Sequence, residues 1–366
     1  MLPTTRNWSM SIRAQRAMAV LVAAMTVSSA TQAQTGPAVG PEASGVNTAD
    51  SAEQISDYVV EIYEDRHGHL WFGTMTKGAV RYDGQSLTYF TTADGLAADT
   101  VTSFAEDAEG HLWAGTHGGI SRFNGKNFEA WGRDKRLPQG GGLVFADRKG
   151  NLWASMDFAV FRYDGRESFT RFSLPIDRDA ITSYGILPGH ASLDLIDQHG
   201  NLWFGTDGYG AFRFDGEQFQ RFSQADGLCS NNVTGIVEDG QGNLWFSCMQ
   251  SFKPQQTGDG GVCRWDGQTF TTFPQVDGLS ENDIYTIYMD REGMVWLGAT
   301  GHGVYRYNGD EFQLFPKTDR MDLTYSLGLQ AALEDTNGTL WLGFSGGLFR
   351  WDGSQIVNVT KAGPWR

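Results

Sequence analysis

Glu106-Asp107-Ala108-Glu109-Gly110-His111-Leu112-Trp113-Ala114-Gly115 is an acidic turn closed by glycine and followed by an apolar residue and a tryptophan, and the phrase returns seven times along the chain. Its tryptophans are Trp71, Trp113, Trp153, Trp203, Trp245, Trp296 and Trp341, spaced 40 to 51 residues apart. That spacing holds four short strands with their turns, the repeat length of a propeller blade. The fold expected is all-β, a seven-bladed β-propeller of four-stranded antiparallel blades. In the clearest repeat Val101 to Glu106 reads as the first strand, Leu112 to Thr116 as the second, Gly119 to Phe123 as the third and Phe128 to Trp131 as the fourth. Each is rich in β-branched or aromatic residues and is bounded by Gly, Asp or Asn. The blades are placed at about 59–90, 101–131, 141–172, 191–222, 233–273, 284–315 and 329–359 within a propeller domain of residues 58–366. In this phase each blade is made from one stretch of chain. Blade 7 packing on blade 1 closes the ring, with residues 45–57 available to add an edge strand.

A residue type that recurs in every blade answers a demand that every blade makes. The tryptophan, a large flat side chain on a middle strand, suits the wedge between two twisted sheets. An arginine recurs in the third strand as Arg81, Arg122, Arg162, Arg213, Arg264, Arg306 and Arg350, each followed by an aromatic and then Asp-Gly or Asn-Gly. Those dipeptides mark the hairpin into the fourth strand, where glycine supplies the positive φ of the turn. The arginines are expected to pair with the turn aspartates Asp65, Asp107, Asp147, Asp197, Asp239, Asp290 and Asp335, a scaffold role rather than an anion site.

Composition fits an ordered chain: 40% hydrophobic and 13% aromatic residues provide a core that a disordered acidic chain lacks. Lys+Arg 28 against Asp+Glu 43 gives a net charge of −15, which argues against nucleic acid or an anionic membrane surface as partner. The N-terminus reads as an export signal over residues 1–33. Arg6, Arg13 and Arg16 precede an apolar run from Ala17 to Val27, and Thr31-Gln32-Ala33 offers a cleavage site, with Ala30 as a second choice. The alternative is a membrane anchor, but the run is shorter than the roughly 18–20 residues that span a bilayer. The mature chain is expected to be periplasmic or secreted and not membrane-spanning. Residues 34–57 read as a flexible leader.

The stretch from Asp226-Gly227-Leu228-Cys229-Ser230-Asn231-Asn232-Val233 through Glu238-Asp239-Gly240-Gln241-Gly242-Asn243-Leu244-Trp245 resembles the two-component regulator propeller repeat. Asp94-Gly95-Leu96 and Asp277-Gly278-Leu279 open the same motif, whereas blades 3, 4 and 7 lack that opening. The resemblance implies a sensor-like role, because such propellers form the extracytoplasmic sensor part of hybrid histidine kinases, often in tandem pairs that respond to oligosaccharides. This chain departs from that plan in having one propeller, no transmembrane segment after the signal and no room for a kinase domain. The expectation is a binding module for an oligosaccharide or other small ligand, with a separate membrane sensor or kinase as partner.

Turns after first and third strands lie on one face and are short, whereas loops after second and fourth strands lie on the other and vary. Recognition is usually built on the variable face of a repeat ring. The longest such loop runs from Met249 to Gly260 in blade 5; the connection into blade 4 carries Asp177, Arg178, Asp179, Tyr184 and His190, and that into blade 7 carries Arg320, Asp322 and Tyr325. The ligand-binding candidates are His117, Asp157, Tyr184, His190, Tyr209, Phe252, Lys253, His302 and Tyr325. Aromatic faces beside amides and charges suit the C–H faces and hydroxyls of a sugar. Any single one of these residues also reads as an ordinary surface or capping residue. Asp99, Asn231 and Asn282 sit two residues before first strands and read as turn caps.

No His-Glu-x-x-His or phosphate-cradling glycine loop occurs. No cofactor, no clustered metal triad and no catalytic residue is assigned. Propeller enzymes of lyase or lactonase type assemble their sites from distant blades without a linear motif, so an enzyme remains the alternative, with a protein-docking scaffold as the third. Of Cys229, Cys248 and Cys263, the pair Cys248–Cys263 is the disulfide candidate at the base of the blade 5 loop, against the alternative of three buried thiols.

Overall fold

The computed structural model describes residues 55–360 except 57, 133–136, 139, 148, 157–158, 186–187, 258, 274–278, 280–282, 300–302 and 316–327. The signal and almost all of the leader, 1–54 and 57, lie outside the described residues. The 28 strands form seven four-stranded antiparallel sheets, each from consecutive segments, so the chain is a seven-bladed β-propeller. First strands are Val59–Glu64, Val101–Glu106, Gly142–Ala146, Ala191–Ile196, Val233–Glu238, Ile284–Met289 and Leu329–Glu334. Second strands are Leu70–Thr74, Leu112–Thr116, Leu152–Met156, Leu202–Thr206, Leu244–Cys248, Val295–Ala299 and Leu340–Phe344. First strands pack side by side between blades 1 and 2, 2 and 3, 4 and 5, 5 and 6, 6 and 7, and 7 and 1. Residues of five of them, among them Glu61, Asp194, Thr234, Thr286 and Gln330, line an axial cavity of about 180 Å³.

The tryptophans fill the wedges between blades. Trp71 is buried among Phe104, Leu112 and Phe128 of blade 2, and Trp341 among Ile62, Leu70 and Phe72 of blade 1, which closes the ring. Ile55, ahead of the first strand, is buried and donates its backbone N–H to the Thr360 carbonyl, a further tie between the two ends of the propeller.

The expected arginine–aspartate pairing is corrected. Each turn aspartate takes the indole N–H of its own blade's tryptophan on Oδ2, at 2.8 to 3.4 Å, in all seven blades. Oδ1 caps the turn: Asp239 accepts the backbone N–H groups of Gln241 and Asn243, both at 2.9 Å. The strand register explains the exchange of partners. Trp71 stands opposite Arg81 on the third strand, so the guanidinium lies over the indole face, 5.8 Å from its centroid, with similar placements for Arg122, Arg162, Arg264 and Arg306. Ion pairs of these arginines among the described residues go to other carboxylates, Arg122 to Glu129 and Arg306 to Glu292.

The glutamate before the aspartate has a separate task. Glu106, Glu238, Glu334 and Glu64 accept the backbone N–H of Arg66, Gln198, Arg291 and Thr336, respectively, each the residue after the turn aspartate of the preceding blade, at 2.8 to 3.0 Å. The motif's Glu-Asp pair thus latches one blade to its neighbour and its own tryptophan to its turn. The glycine after the tryptophan sets blade spacing: a Cβ on Gly73 would stand 2.6 Å from the Val101 carbonyl oxygen of the next blade.

The Asp-Gly-Leu opening is a capped 3-10 turn. In Thr92–Asp94 the Asp94 carboxylate accepts the Thr91 N–H, Gly95 takes φ 95°, and Leu96 is buried. The cap reading holds for Asp99, which accepts Thr92 N–H at 2.6 Å, and for Asn231, which accepts Gln224 N–H at 3.0 Å. Asn282 lies outside the described residues.

Candidate functional site

The loop face is built around one repeated contact. In blades 1, 2, 4 and 5 the residue after the second strand donates its N–H to the carbonyl of the residue before the first strand, as Met75 to Tyr58, His117 to Thr100, Asp207 to His190 and Met249 to Asn232. These residues stand at the loop-side ends of the strands that surround the axial cavity. Here the sequence changes from the uniform apolar pattern to polar side chains that are nonetheless buried: His190 2%, Asp207 1% and Asn232 1% exposed.

Above blades 4 and 5 two long segments meet. Tyr184, in the connection into blade 4, donates its N–H to the Lys253 carbonyl at 3.1 Å, and the Tyr184 carbonyl accepts the N–H groups of both Phe252 and Lys253 at 3.0 Å. This pairing holds the connection against the 249–260 loop as a two-residue ladder. Beneath it the Asp207 carboxylate accepts Gly185 N–H at 2.6 Å, and the Asn232 side-chain amide donates to Ser251 Oγ at 2.8 Å. Asp259 closes the far end of the loop, accepting Gln224 Nε2 at 3.0 Å and Ser230 Oγ at 3.2 Å. Asn232 Oδ1 is buried with no hydrogen-bond partner among the described residues. Phe252 is an exposed large apolar side chain in this region, at 37%.

The structure therefore brings Tyr184, His190, Phe252 and Lys253 into one region. Tyr209 follows Asp207 and Gly208 in the neighbouring blade 4 loop, with the Arg221 guanidinium over its ring at 3.6 Å. His117 belongs to blade 2; its Nε2 is buried without a partner, and burial lowers its pKa to about 4, so the ring is neutral at physiological pH. Asp157, His302 and Tyr325, with Arg320 and Asp322, lie outside the described residues. Sequence reasoning missed Asp207 and Asn232. Their one signal was position, since they are polar residues flanking inner strands where blade 1 places Met75 and Tyr58.

Two groups of potential metal-ligating side chains gather, against the expectation of none. Asp107, Glu109 and His111 sit together on the turn face, but Asp107 is already engaged by Trp113 and by its own turn. Cys229, Cys248 and Cys263 form the second group. No sulfur–sulfur bond joins the three in this structure. Cys248 stands opposite Gly261 and Cys263 opposite Phe246, so the two cysteines are out of register.

The family model described as two component regulator propeller matches residues 53–76, 95–118, 227–250 and 278–301. The chain carries the two-component regulator propeller repeat. Each matched repeat runs across the first-to-second-strand hairpin, and those of blades 1, 2 and 5 contain both the inter-blade glutamate and the tryptophan-binding aspartate. Among solved structures, the chain resembles the extracellular domain of BT3049 of B. thetaiotaomicron, described as a hybrid two-component system, at 21% identity and TM-score 0.66 over 83% of this chain and 40% of that one. It also resembles the extracellular domain of BT4673, described as a one-component system of the same organism, at 17% identity and TM-score 0.55 over 81% and 48%. The chain thus spans less than half of either. Virginiamycin B lyase from Staphylococcus aureus matches at 13% identity and TM-score 0.57 over 79% of this chain and 92% of the lyase. At these identities the likeness establishes the fold. No curated protein sequence matches the chain. No helix among the described residues is long and apolar enough to cross a membrane.

Proposed function

We propose that the protein is an exported ligand-binding propeller of sensor type, acting in the periplasm or outside the cell, with its site on the loop face above blades 4 and 5. The carrying observation is the docking of the connection into blade 4 onto the blade 5 loop through Tyr184, Phe252 and Lys253, over a floor of buried polar side chains. A loop pinned at both ends is a preorganised surface, and preorganisation lowers the ordering cost of binding. An oligosaccharide suits it. The exposed Phe252 ring offers an apolar face for sugar C–H groups, while Tyr184 and Lys253 offer groups for hydroxyls. The regulator-propeller repeat supports a place on the sensing side of a signalling system, with a separate membrane sensor or kinase reading the bound state.

The test is calorimetric titration and thermal shift against a panel of oligosaccharides, with and without calcium. Phe252→Ala and Tyr184→Ala should each weaken binding about two- to tenfold, since loss of an aromatic contact costs about 0.5–1.5 kcal/mol, and should leave the melting temperature near that of the parent. Full affinity in both variants would move the site elsewhere. Turnover of a bound sugar would make the protein an enzyme of the lyase class, and capture of a protein partner with no response to sugars would make it a docking scaffold.

A further inference from the structure

Cys229 lies in the segment that enters blade 5, Cys248 ends the second strand of that blade, and Cys263 lies in its third strand, Gly261–Trp265. Cys229 Sγ is 2.8 Å from Cys248 Sγ and 2.9 Å from Cys263 Sγ. Both separations are closed to the S–S bond length of about 2.05 Å by small side-chain rotations. Cys248 and Cys263 flank the site from two strands, and Cys229 stands between them as the shared neighbour. The 249–260 loop leaves the sheet directly after Cys248 and returns at Gly261, two residues before Cys263. Cys229 is also tied to that loop, its carbonyl accepting Gly260 N–H at 3.3 Å.

We propose that Cys229 is the common partner in an exchangeable disulfide, closing with Cys248 on the outgoing leg of the blade 5 loop or with Cys263 on its returning leg. In formation, a small-molecule disulfide is the oxidant. The Cys229 and Cys248 thiols lose two protons and two electrons and become joined, and the oxidant is reduced to two thiols. In exchange, the Cys263 thiolate attacks Cys229 Sγ, the Cys229–Cys248 bond breaks, and Cys248 leaves as a thiolate that takes up the proton Cys263 gave up. No net oxidation accompanies this second step.

Two features favour this chemistry over a metal centre. Cys248 and Cys263 are fully buried in an apolar cluster with Trp203, Phe222, Val233, Leu244 and Phe246, and Cys229 packs against it. Three thiolates around a divalent cation would leave net negative charge in that cluster, whereas a disulfide is neutral. The sulfurs are also unequal. Burial pushes the Cys229 and Cys248 thiols up. At Cys263 burial acts the same way but is outweighed in the reduced cluster by the Cys229 and Cys248 thiols and by the Cys229 backbone N–H at 3.2 Å, the last of which stays in place when Cys229 and Cys248 are joined.

The cellular setting of this switch rests on the export reading, because stable disulfides belong to oxidising compartments. The chemistry is tested on the purified protein and does not depend on that reading. The protein is equilibrated with oxidised glutathione, alkylated, and mapped by non-reducing peptide mass spectrometry. Expected is one disulfide per chain, always containing Cys229 and divided between Cys248 and Cys263. Cys248→Ser should shift all of it to Cys263, Cys263→Ser all of it to Cys248, and Cys229→Ser should abolish it. A Cys248–Cys263 bond in the parent or in Cys229→Ser overturns the proposal, as do three free thiols after oxidation. Retention of one equivalent of zinc or copper that blocks oxidation would instead make the cluster a metal–thiolate site. If Cys229→Ser does not fold, the parent and the other two variants still decide between these outcomes.

Discussion

Replacing Asp239 by alanine separates the arrangement seen here from an arginine–aspartate scaffold. Asp239 accepts Trp245 Nε1 at 3.0 Å, Asn243 Nδ2 at 2.9 Å and two backbone N–H groups at 2.9 Å. After substitution the groups at the turn surface can turn to water, but Trp245 is 3% exposed and its indole N–H stays buried without an acceptor. A buried donor left unsatisfied costs about 1–3 kcal/mol, and the lost turn caps add about 1 kcal/mol, for a total near 3 kcal/mol. At about 2–4 °C per kcal/mol for a domain of this size class, the melting temperature should fall by about 6–12 °C. Arg264→Ala removes a guanidinium lying 5.6 Å from the Trp245 ring centroid. That contact is worth about 0.5–1 kcal/mol, so the fall should be a few degrees. Thermal and urea unfolding of both variants and the double variant, followed by tryptophan fluorescence and far-UV circular dichroism, gives the coupling between the two positions. Because both side chains touch Trp245, a coupling of about 0.5 kcal/mol carried through the ring is expected rather than strict additivity. Equal single losses with a coupling above about 1 kcal/mol would mean that the ion pair exists in solution and the geometry described here is wrong.

The same carboxylates set the acid limit. Burial pushes Asp65, Asp197 and Asp239 up, but the indole, side-chain and backbone N–H donors outweigh it and hold all three below the usual carboxylate range. A depressed folded pKa contributes stability that is present above the unfolded value of about 3.9 and is lost as pH falls through the folded value. Melting temperature should therefore change little through these groups down to about pH 4 and drop steeply below it; a decline already complete by pH 5 would contradict this. Glu64→Ala removes the bonds from Thr336 N–H at 2.8 Å and Thr336 Oγ1 at 2.6 Å that join blade 7 to blade 1. It should cost about 1–2 kcal/mol in urea unfolding, whereas Glu217→Ala, on an exposed hairpin turn, serves as a neutral control. Gly73→Ala places a Cβ 2.6 Å from the Val101 carbonyl oxygen and should destabilise by about 1–3 kcal/mol through overpacking, read in the same assay.

Blade count was readable because each tryptophan occupies the same wedge, so a single physical demand is written seven times. The partner of the turn aspartate was not readable from charge alone. Arginine and aspartate recur in step, but the hairpin sets Tyr63 opposite Trp71 and Glu64 opposite Leu70, which carries the indole N–H back to Asp65 while Arg81 faces the ring. Loop length pointed to blades 4 and 5, yet the contact between Tyr184 and Lys253 joins segments from different blades and leaves no periodic trace. For the cysteines, strand assignment alone left the register open. The two-residue offset between Cys248 and Cys263, and the entry of Cys229 from outside the sheet, are tertiary facts.

The inter-blade glutamate is unevenly distributed around the ring. Its latches tie blade 6 to 7, 7 to 1, 1 to 2, and 4 to 5. At the three remaining junctions the corresponding residues are Ala146, Ile196 and Met289, which carry no carboxylate. Those junctions are crossed on the first and second strands instead, by Val144 N–H on Ser103 Oγ, Leu193 N–H on Ser155 Oγ, and Thr234 Oγ1 on the Ile284 carbonyl. Every junction therefore carries a hydrogen bond beside the tryptophan wedge, at the turn-face rim in four and on the sheet in three, so the closed ring has no seam held by apolar packing alone.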